Sequence, residues 1–129
     1  MSEFNLQSVS PQSFVAGGTI LANRLVEISA ANTVTATDAI ADLPIGVALI
    51  GGVAGDLIPV QQFGKAKIVA SAAVAVGAQL MCTAAGAGKC LTAAGATART
   101  IGQALTAAGA DGDVLEVQLM LTGNGPANA

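Results

Sequence analysis

The sequence predicts an all-β protein, a small β-barrel or β-sandwich built from two similar units of roughly 55 residues, with at most one short helix. Three observations predict it. The stretch VLEVQLML (residues 114–121) alternates, with Leu115, Val117, Leu119 and Leu121 on one side and Val114, Glu116, Gln118 and Met120 on the other. That period of two is the mark of a half-buried strand. Glycines at 51, 52, 55, 109 and 112 interrupt the chain at a spacing that breaks helices and builds turns. The phrase GDLIPVQ (55–61) also returns as GDVLEVQ (112–118).

The elements follow in order. Residues 1–14 are polar, contain Pro11 and show no period, so they read as an extended N-terminal arm. Its sparse apolar set is Phe4, Leu6, Val9 and Phe14. Either the arm lies across a partner and these side chains anchor it, or Phe14 folds back on the barrel and Phe4 stays unplaced. The domain spans 15–121, with repeat units at about 15–61 and 71–118, and residues 122–129 form a flexible tail.

Setting 19–37 above 73–93 pairs Leu25 with Leu80 and Val26 with Met81. Setting 45–61 above 101–118 pairs Ile45, Gly46, Ala48 and Leu49 with Ile101, Gly102, Ala104 and Leu105. It also pairs Gly55, Asp56, Val60 and Gln61 with Gly112, Asp113, Val117 and Gln118. The offset drifts from 55 to 57, which implies two single-residue slips. Alanine matches carry no weight, because 28 of the 129 residues are alanine.

Between these blocks DAIADL (38–43) fits a short helix, capped by Thr37 or Asp38 and ended by Pro44. Ile58 and Val60 point inward with Pro59 outward, which makes an edge strand or one with a locally unpaired position. Lys65 and Lys67 alternate with Ala66 and Ile68, as an outward strand face or an ion-pair rim between subunits. A hairpin centred on Gly86 sets Cys82 opposite Cys90. Directly opposed residues lie within disulfide reach, and two small reduced thiols are the alternative. ADGD (110–113) is a turn.

Composition excludes several classes of function. The chain has no histidine, so serine and cysteine triads that need an imidazole are impossible within it. Two cysteines with carboxylates make a poor zinc site. Asp38 and Asp42 would share one face of a helical turn and repel mildly. ADGD (110–113), with Asp111 and Asp113, offers two carboxylates and the equivalent turn VAGD (53–56) one, too few for calcium. AGAGKC (85–90) fails the phosphate-loop pattern, which needs glycine at 83 and a hydroxyl at 90, where Thr83 and Cys90 stand. No catalytic, cofactor or metal residue is expected. Five basic residues and a net charge of −3 cannot track a nucleic-acid backbone. The most apolar run, 68–78, is 11 residues long, against about 20 for a membrane span. No secretion signal is visible, so synthesis in the cytoplasm is expected. Yet 53% of residues are hydrophobic and only 10% charged, so some apolar surface should be covered by other subunits.

The order of phrases resembles a family of small capsid decoration (cement) proteins of tailed bacteriophages. The carriers are Gly46-Val47-Ala48-Leu49, then the block from Gly64 to Gly77 ahead of AQL, then the glycine-rich hairpin with GKCLTA, then Ile101-Gly102-Gln103-Ala104 and the closing strand. The match covers about 15–121 and leaves out the arm. Leu80-Met81 stand where many relatives carry an aromatic residue. The resemblance implies a homotrimer on the outer surface of the virion head, bridging copies of the major capsid protein, assembled in the host cytoplasm, with neither nucleic acid nor membrane as partner. On that reading Phe4, Leu6, Val9 and Phe14 touch the capsid, and Val114 and Met120 touch neighbouring subunits. The rival readings are a small-molecule-binding or enzymatic β-barrel and a β-rich fibre or stalk module.

Overall fold

The computed structural model describes residues 11–39, 42–83, 87–94 and 100–121. The described residues form ten strands: β1 (Gln12–Ala16), β2 (Arg24–Ala30), β3 (Thr33–Ala36), β4 (Pro44–Ala48), β5 (Leu57–Gln61), β6 (Lys65–Val69), β7 (Gln79–Cys82), β8 (Cys90–Thr92), β9 (Gly102–Ala104) and β10 (Val114–Leu119). The protein is all-β, as expected, and no helix occurs among the described residues. The described residues of 38–43 are not helical: the Asp42 carboxylate accepts the Asp38 and Ala39 N–H groups (2.7 and 2.9 Å) instead.

The first five strands close a barrel in the order β1-β3-β2-β4-β5, sealed by a parallel β1–β3 pair and an antiparallel β1–β5 pair. The second five form a sheet in the order β6-β10-β9-β7-β8. Renumbered within each unit, the two orders are the same. In the second unit the closing parallel pair shrinks to a single bridge, Ala70 with Cys90. The barrel begins at Gln12, inside the stretch assigned to the arm, and the second unit begins at Lys65 rather than at 71.

The repeat holds bond by bond. Ala16 N–H donates to Asp56 O and Gly55 N–H to Ala16 O; Ala70 N–H donates to Asp113 O and Gly112 N–H to Ala70 O. Ile20 and Gly52 exchange two bonds, as do Val74 and Ala108. Asn23 N–H donates to Ala48 O, and Gly77 N–H to Ala104 O. Asn23 (φ 63°) and Gly77 (φ 86°) both take the left-handed conformation, which asparagine and glycine tolerate best. Thr37 N–H donates to Leu25 O where Ala93 N–H donates to Gln79 O. These pairs fix the offset at 54 through β1 and β2, 56 through β3 and β4, and 57 at β5. The counterpart of Leu25 is therefore Gln79, and that of Val26 is Leu80, which corrects the sequence alignment by one residue. The steps are two residues in the β7–β8 hairpin and one between 108 and 113, not two single slips.

Glycine is required at one equivalent place in each unit. A Cβ on Gly46 would lie 2.4 Å from Gln61 O, and a Cβ on Gly102 would lie 2.4 Å from Gln118 O. Each GD phrase turns the chain into a core strand: Gly55 and Gly112 have φ of 95° and 94°, and Asp56 and Asp113 accept the turn's N–H groups. Pro59 sits in a closed barrel, so the edge-strand alternative falls. Its carbonyl accepts Leu49 N–H just past the end of β4, and its missing donor lies on that same side, where the ladder has already stopped.

Alternation fills two cores. Ala16, Ile20, Val26, Val34, Ala48, Ile58 and Val60 fill the barrel. The larger second core includes Ile68, Leu80, Ile101, Leu115, Val117 and Leu119. Two of its members come from the first unit. Leu25 and Val47 are cross-strand partners on the outside of the barrel, fully buried because they enter the second core. Their counterparts Gln79 and Gln103, also cross-strand partners, are exposed. Backbone bonds complete the joint: Val69 N–H to Asn23 O (3.0 Å), Leu25 N–H to Gly88 O (2.8 Å) and Gly88 N–H to Thr37 O (3.0 Å). The Arg24 guanidinium reaches Ala87 O at 2.9 Å. The hairpin that carries Ala87 and Gly88 is the one lengthened by two residues, so the insertion supplies the clasp between units.

Candidate interaction surface

The outward strand faces and the turns at their ends hold the residues of interest. Of the expected shell contacts, Phe4, Leu6 and Val9 lie outside the described residues. Phe14 is half-buried on β1 and packs against the barrel core. Its ring therefore serves the fold first.

Val114, which opens β10, and Met120, one residue past its end, are the expected subunit contacts and are 48% and 39% exposed. At the offset of 57 their counterparts are Leu57 and Phe63, which are 65% and 60% exposed. Leu21, Ile50 and Val53 add further exposed apolar surface on the barrel's turns. Gly51, next to Ile50 in the chain, lies against Leu21, since a Cβ on Gly51 would lie 3.4 Å from Leu21 Cα. The second unit has Ala75 and Thr106 at the positions of Leu21 and Ile50. The greasier turn cluster thus belongs to the barrel. Sequence reading missed it, although the Gly-Asp match carries Leu57 and Phe63 directly from Val114 and Met120.

Charge on this surface is sparse. Lys65 and Lys67 point outward while Ala66 and Ile68 are buried, so the alternation holds. Lys65 lies 3.7 Å from Glu116 across the β6–β10 pair, and Lys89 lies 2.9 Å from Asp111. Exposed pairs of this kind are worth well under about 1 kcal/mol.

One acidic group has unusual electrostatics. Carboxylate oxygens of Glu27, Asp38 and Asp42 lie within 4.8 Å of one another. A shared proton relieves the crowding. Desolvation first, then the Asp42 charge and a hydrogen bond to it, push Glu27 up to about 7. Burial also works against the Asp42 charge, but hydrogen bonds from Asp38 and Ala39 outweigh it and hold Asp42 below its usual value. Below about 7 Glu27 therefore holds a proton that it can donate to Asp42. Sequence reading missed Glu27, because 38–43 reads as a helix that would keep Asp42 on its own face.

Cys82 and Cys90 are register partners, buried, and present as free thiols. Burial pushes Cys82 up to about 11 and Cys90 up to about 12. The Thr37 hydroxyl beside Cys82 pulls slightly the other way. Neither thiol is activated as a nucleophile.

No family model matches the chain, and no curated protein matches it. Solved structures do. The chain is similar to the N base of head fiber gp8.5 of bacteriophage phi29, with a TM-score of 0.70 and 18% identity, over 85% of this chain and 92% of that one. At that identity the likeness is one of fold: the two-unit β architecture described above is shared with this phage protein.

Proposed function

We propose that the chain is a structural protein of a bacteriophage head, a decoration or cement protein that binds the outer surface of the shell and stabilises it by bridging capsid subunits. It acts as a homotrimer, with the major capsid protein as its partner. It catalyses nothing, and it uses no cofactor, nucleic acid or membrane. The observation that carries this reading is the fold shared with a head fiber base over most of both chains. The exposed Leu57, Phe63, Val114 and Met120 support it, since large apolar side chains left on the outer surface offer contact area to a partner. A shell protein repeats weak contacts over a symmetric lattice, and multivalency makes their sum strong.

The same neighbour favours a second reading, the base of a fibre standing on the head, because the phi29 protein is described as a fiber base. Imaging separates the two. Purified protein is mixed with heads lacking it, and the density is located by cryo-electron microscopy. Compact density at junctions between capsid subunits supports cement. Density continuing outward into a projection supports the fibre base. Bare heads at saturating protein reject both, and a monomer that gains thermal stability from a small metabolite favours a binding barrel instead.

The shell contacts have their own test. Deleting residues 1–10 removes Phe4, Leu6 and Val9 but spares β1, so the expected result is a folded protein that no longer binds heads. Full occupancy after this deletion refutes those contacts. Deleting 1–14 is the wrong experiment, because it removes Gln12, Ser13 and Phe14 from their pairing with β5 and opens the barrel.

A further inference from the structure

We propose that Cys82 and Cys90 are the site of a latent disulfide that, once closed, locks the β7–β8 hairpin against the first barrel. The two residues are direct cross-strand partners. The surrounding bonds show what kind of pair they make. Ser71 N–H donates to Cys90 O, so the peptide groups of Cys90 turn away from β7. Ile101 N–H donates to Leu80 O, so Leu80 and, two residues on, Cys82 turn towards β9. Ala93 N–H donates to Gln79 O, so the bonds between β7 and β8 fall at the intervening positions. Cys82 and Cys90 are thus a non-hydrogen-bonded pair. In antiparallel sheets such pairs bring Cα atoms to about 4.5 Å, inside the span a disulfide bridges. Both side chains enter the same second core.

The position gives the bond something to do. β8 is three residues long, lies at the end of its sheet and has only β7 as a ladder partner. The hairpin leading into it carries Ala87 and Gly88, which bind Arg24, Leu25 and Thr37 of the first unit. Gly88 is fitted so closely that a Cβ there would lie 2.5 Å from Leu25 O. A cross-link at the base of this hairpin would hold the clasp in register. In the first unit the counterpart pair is Ile28 and Val34, also cross-strand partners. The architecture accepts hydrocarbon at these positions, so packing alone does not call for thiols there.

The chemistry is thiol–disulfide exchange with a small disulfide oxidant such as oxidised glutathione. One cysteine thiolate attacks a sulfur of the oxidant, forms a mixed disulfide and expels one thiolate. The second cysteine thiolate attacks the protein-bound sulfur and expels the other. The two protein sulfurs are oxidised, the oxidant is reduced to two thiols, and the two cysteine protons end on those thiols. Burial makes both steps slow, since the edge hairpin must open to admit the oxidant, and it makes reduction of the closed bond equally slow. The thiols persist in a reducing cytoplasm, and the bond closes after exposure to an oxidising medium.

The test uses the full chain and does not depend on shell binding. Protein is incubated with oxidised glutathione at about pH 8, where the thiolate fraction rises. It is then unfolded with iodoacetamide and weighed without reductant. The expected product is a monomer lighter by two hydrogens that takes up no alkyl group. Its thermal midpoint rises by about 8 °C, and hydrogen exchange at the Leu25 and Gly88 amides slows. Cys90→Val, which installs the first unit's residue, abolishes both changes. Should that variant fail to fold, non-reducing peptide mapping of the wild type reads the bond directly. Unchanged thiols, a persistent glutathione adduct, a cross-linked dimer, or a closed bond that leaves midpoint and exchange unmoved would each overturn the proposal.

Discussion

Leu25→Gln places in the first unit the residue that the second carries at the equivalent position, Gln79. Gln79 is exposed, whereas Leu25 is fully buried in the second core. The substitution forfeits burial of a leucine side chain, about 2 kcal/mol. It also buries an amide with no partner, about 2 kcal/mol more. The expected loss of about 4 kcal/mol is a large share of the 5–15 kcal/mol typical of a domain. With a urea dependence of about 2 kcal/mol/M, the midpoint should fall by about 2 M. Far-UV circular dichroism is the suitable probe, because the chain has no tryptophan or tyrosine. The reverse change, Gln79→Leu, acts on an exposed face and should stay within about 0.5 kcal/mol. If Leu25→Gln costs less than about 1 kcal/mol, the claim that the first unit completes the second core is wrong.

Two further outcomes follow from the same geometry. Gly46→Ala and Gly102→Ala each drive a methyl group into backbone at 2.4 Å, and each should cost about 2–3 kcal/mol by thermal unfolding. Gly18→Ala, with no atom within 4 Å of the added carbon, serves as the neutral control. Stability should also depend on pH through Glu27. Its folded value of about 7 exceeds its ordinary 4.5, so the folded state holds the proton more tightly. The stabilisation is complete below about 4.5 and is lost as pH rises through about 7. Asp42, held low, acts with the opposite sign, and its contribution is lost only as pH falls through its depressed value. The thermal midpoint should therefore drop between about pH 5 and pH 8. Glu27→Gln, which keeps a donor to Asp42, should flatten that slope; an unchanged slope would assign it to another group.

Much of the fold was legible because β-structure writes itself in alternation. Leu115, Val117 and Leu119 read as inward and are buried; Lys65 and Lys67 read as outward and are exposed. The Cys82–Cys90 register was legible too, since a hairpin about Gly86 fixes it by symmetry. The β2–β7 register was not. Leu-Val over Leu-Met is a better match of residue types than Leu-Val over Gln-Leu, so similarity favoured the wrong alignment by one position. Backbone bonds, which do not depend on residue type, settle it. The joint between units was hidden for a related reason. Leu25 lies in a run with Val26, both buried, and a local pattern cannot tell which of two adjacent apolar residues faces its own barrel and which faces a neighbour. The Glu27–Asp42 pair was missed because capping residues and a following proline suit a helix, while Asp42 instead binds the backbone at Asp38 and Ala39.

The places where the two units differ are more informative than those where they agree. Shared features, such as the close-packed Gly46 and Gly102 or the Asp56 and Asp113 turns, are what any copy of this unit needs in order to fold. The differences must answer to what each copy meets outside itself. Leu25 and Val47 meet the second unit, and their counterparts Gln79 and Gln103 meet solvent, so the docking face is apolar once and polar once. That asymmetry matches the single joint seen among the described residues, where the apolar face is covered and the polar one is not. The hairpin before β8 is lengthened only where it reaches back to Leu25 and Thr37. By the same logic the barrel's exposed Leu21 and Ile50, set against Ala75 and Thr106, mark a surface on which the first unit alone meets something apolar. Changing Leu21 and Ile50 to the second unit's alanine and threonine should leave the thermal midpoint nearly unmoved while weakening association, read as head occupancy or as oligomer mass. If both readouts are unaffected, the surplus apolar surface there has no partner and the contact lies elsewhere.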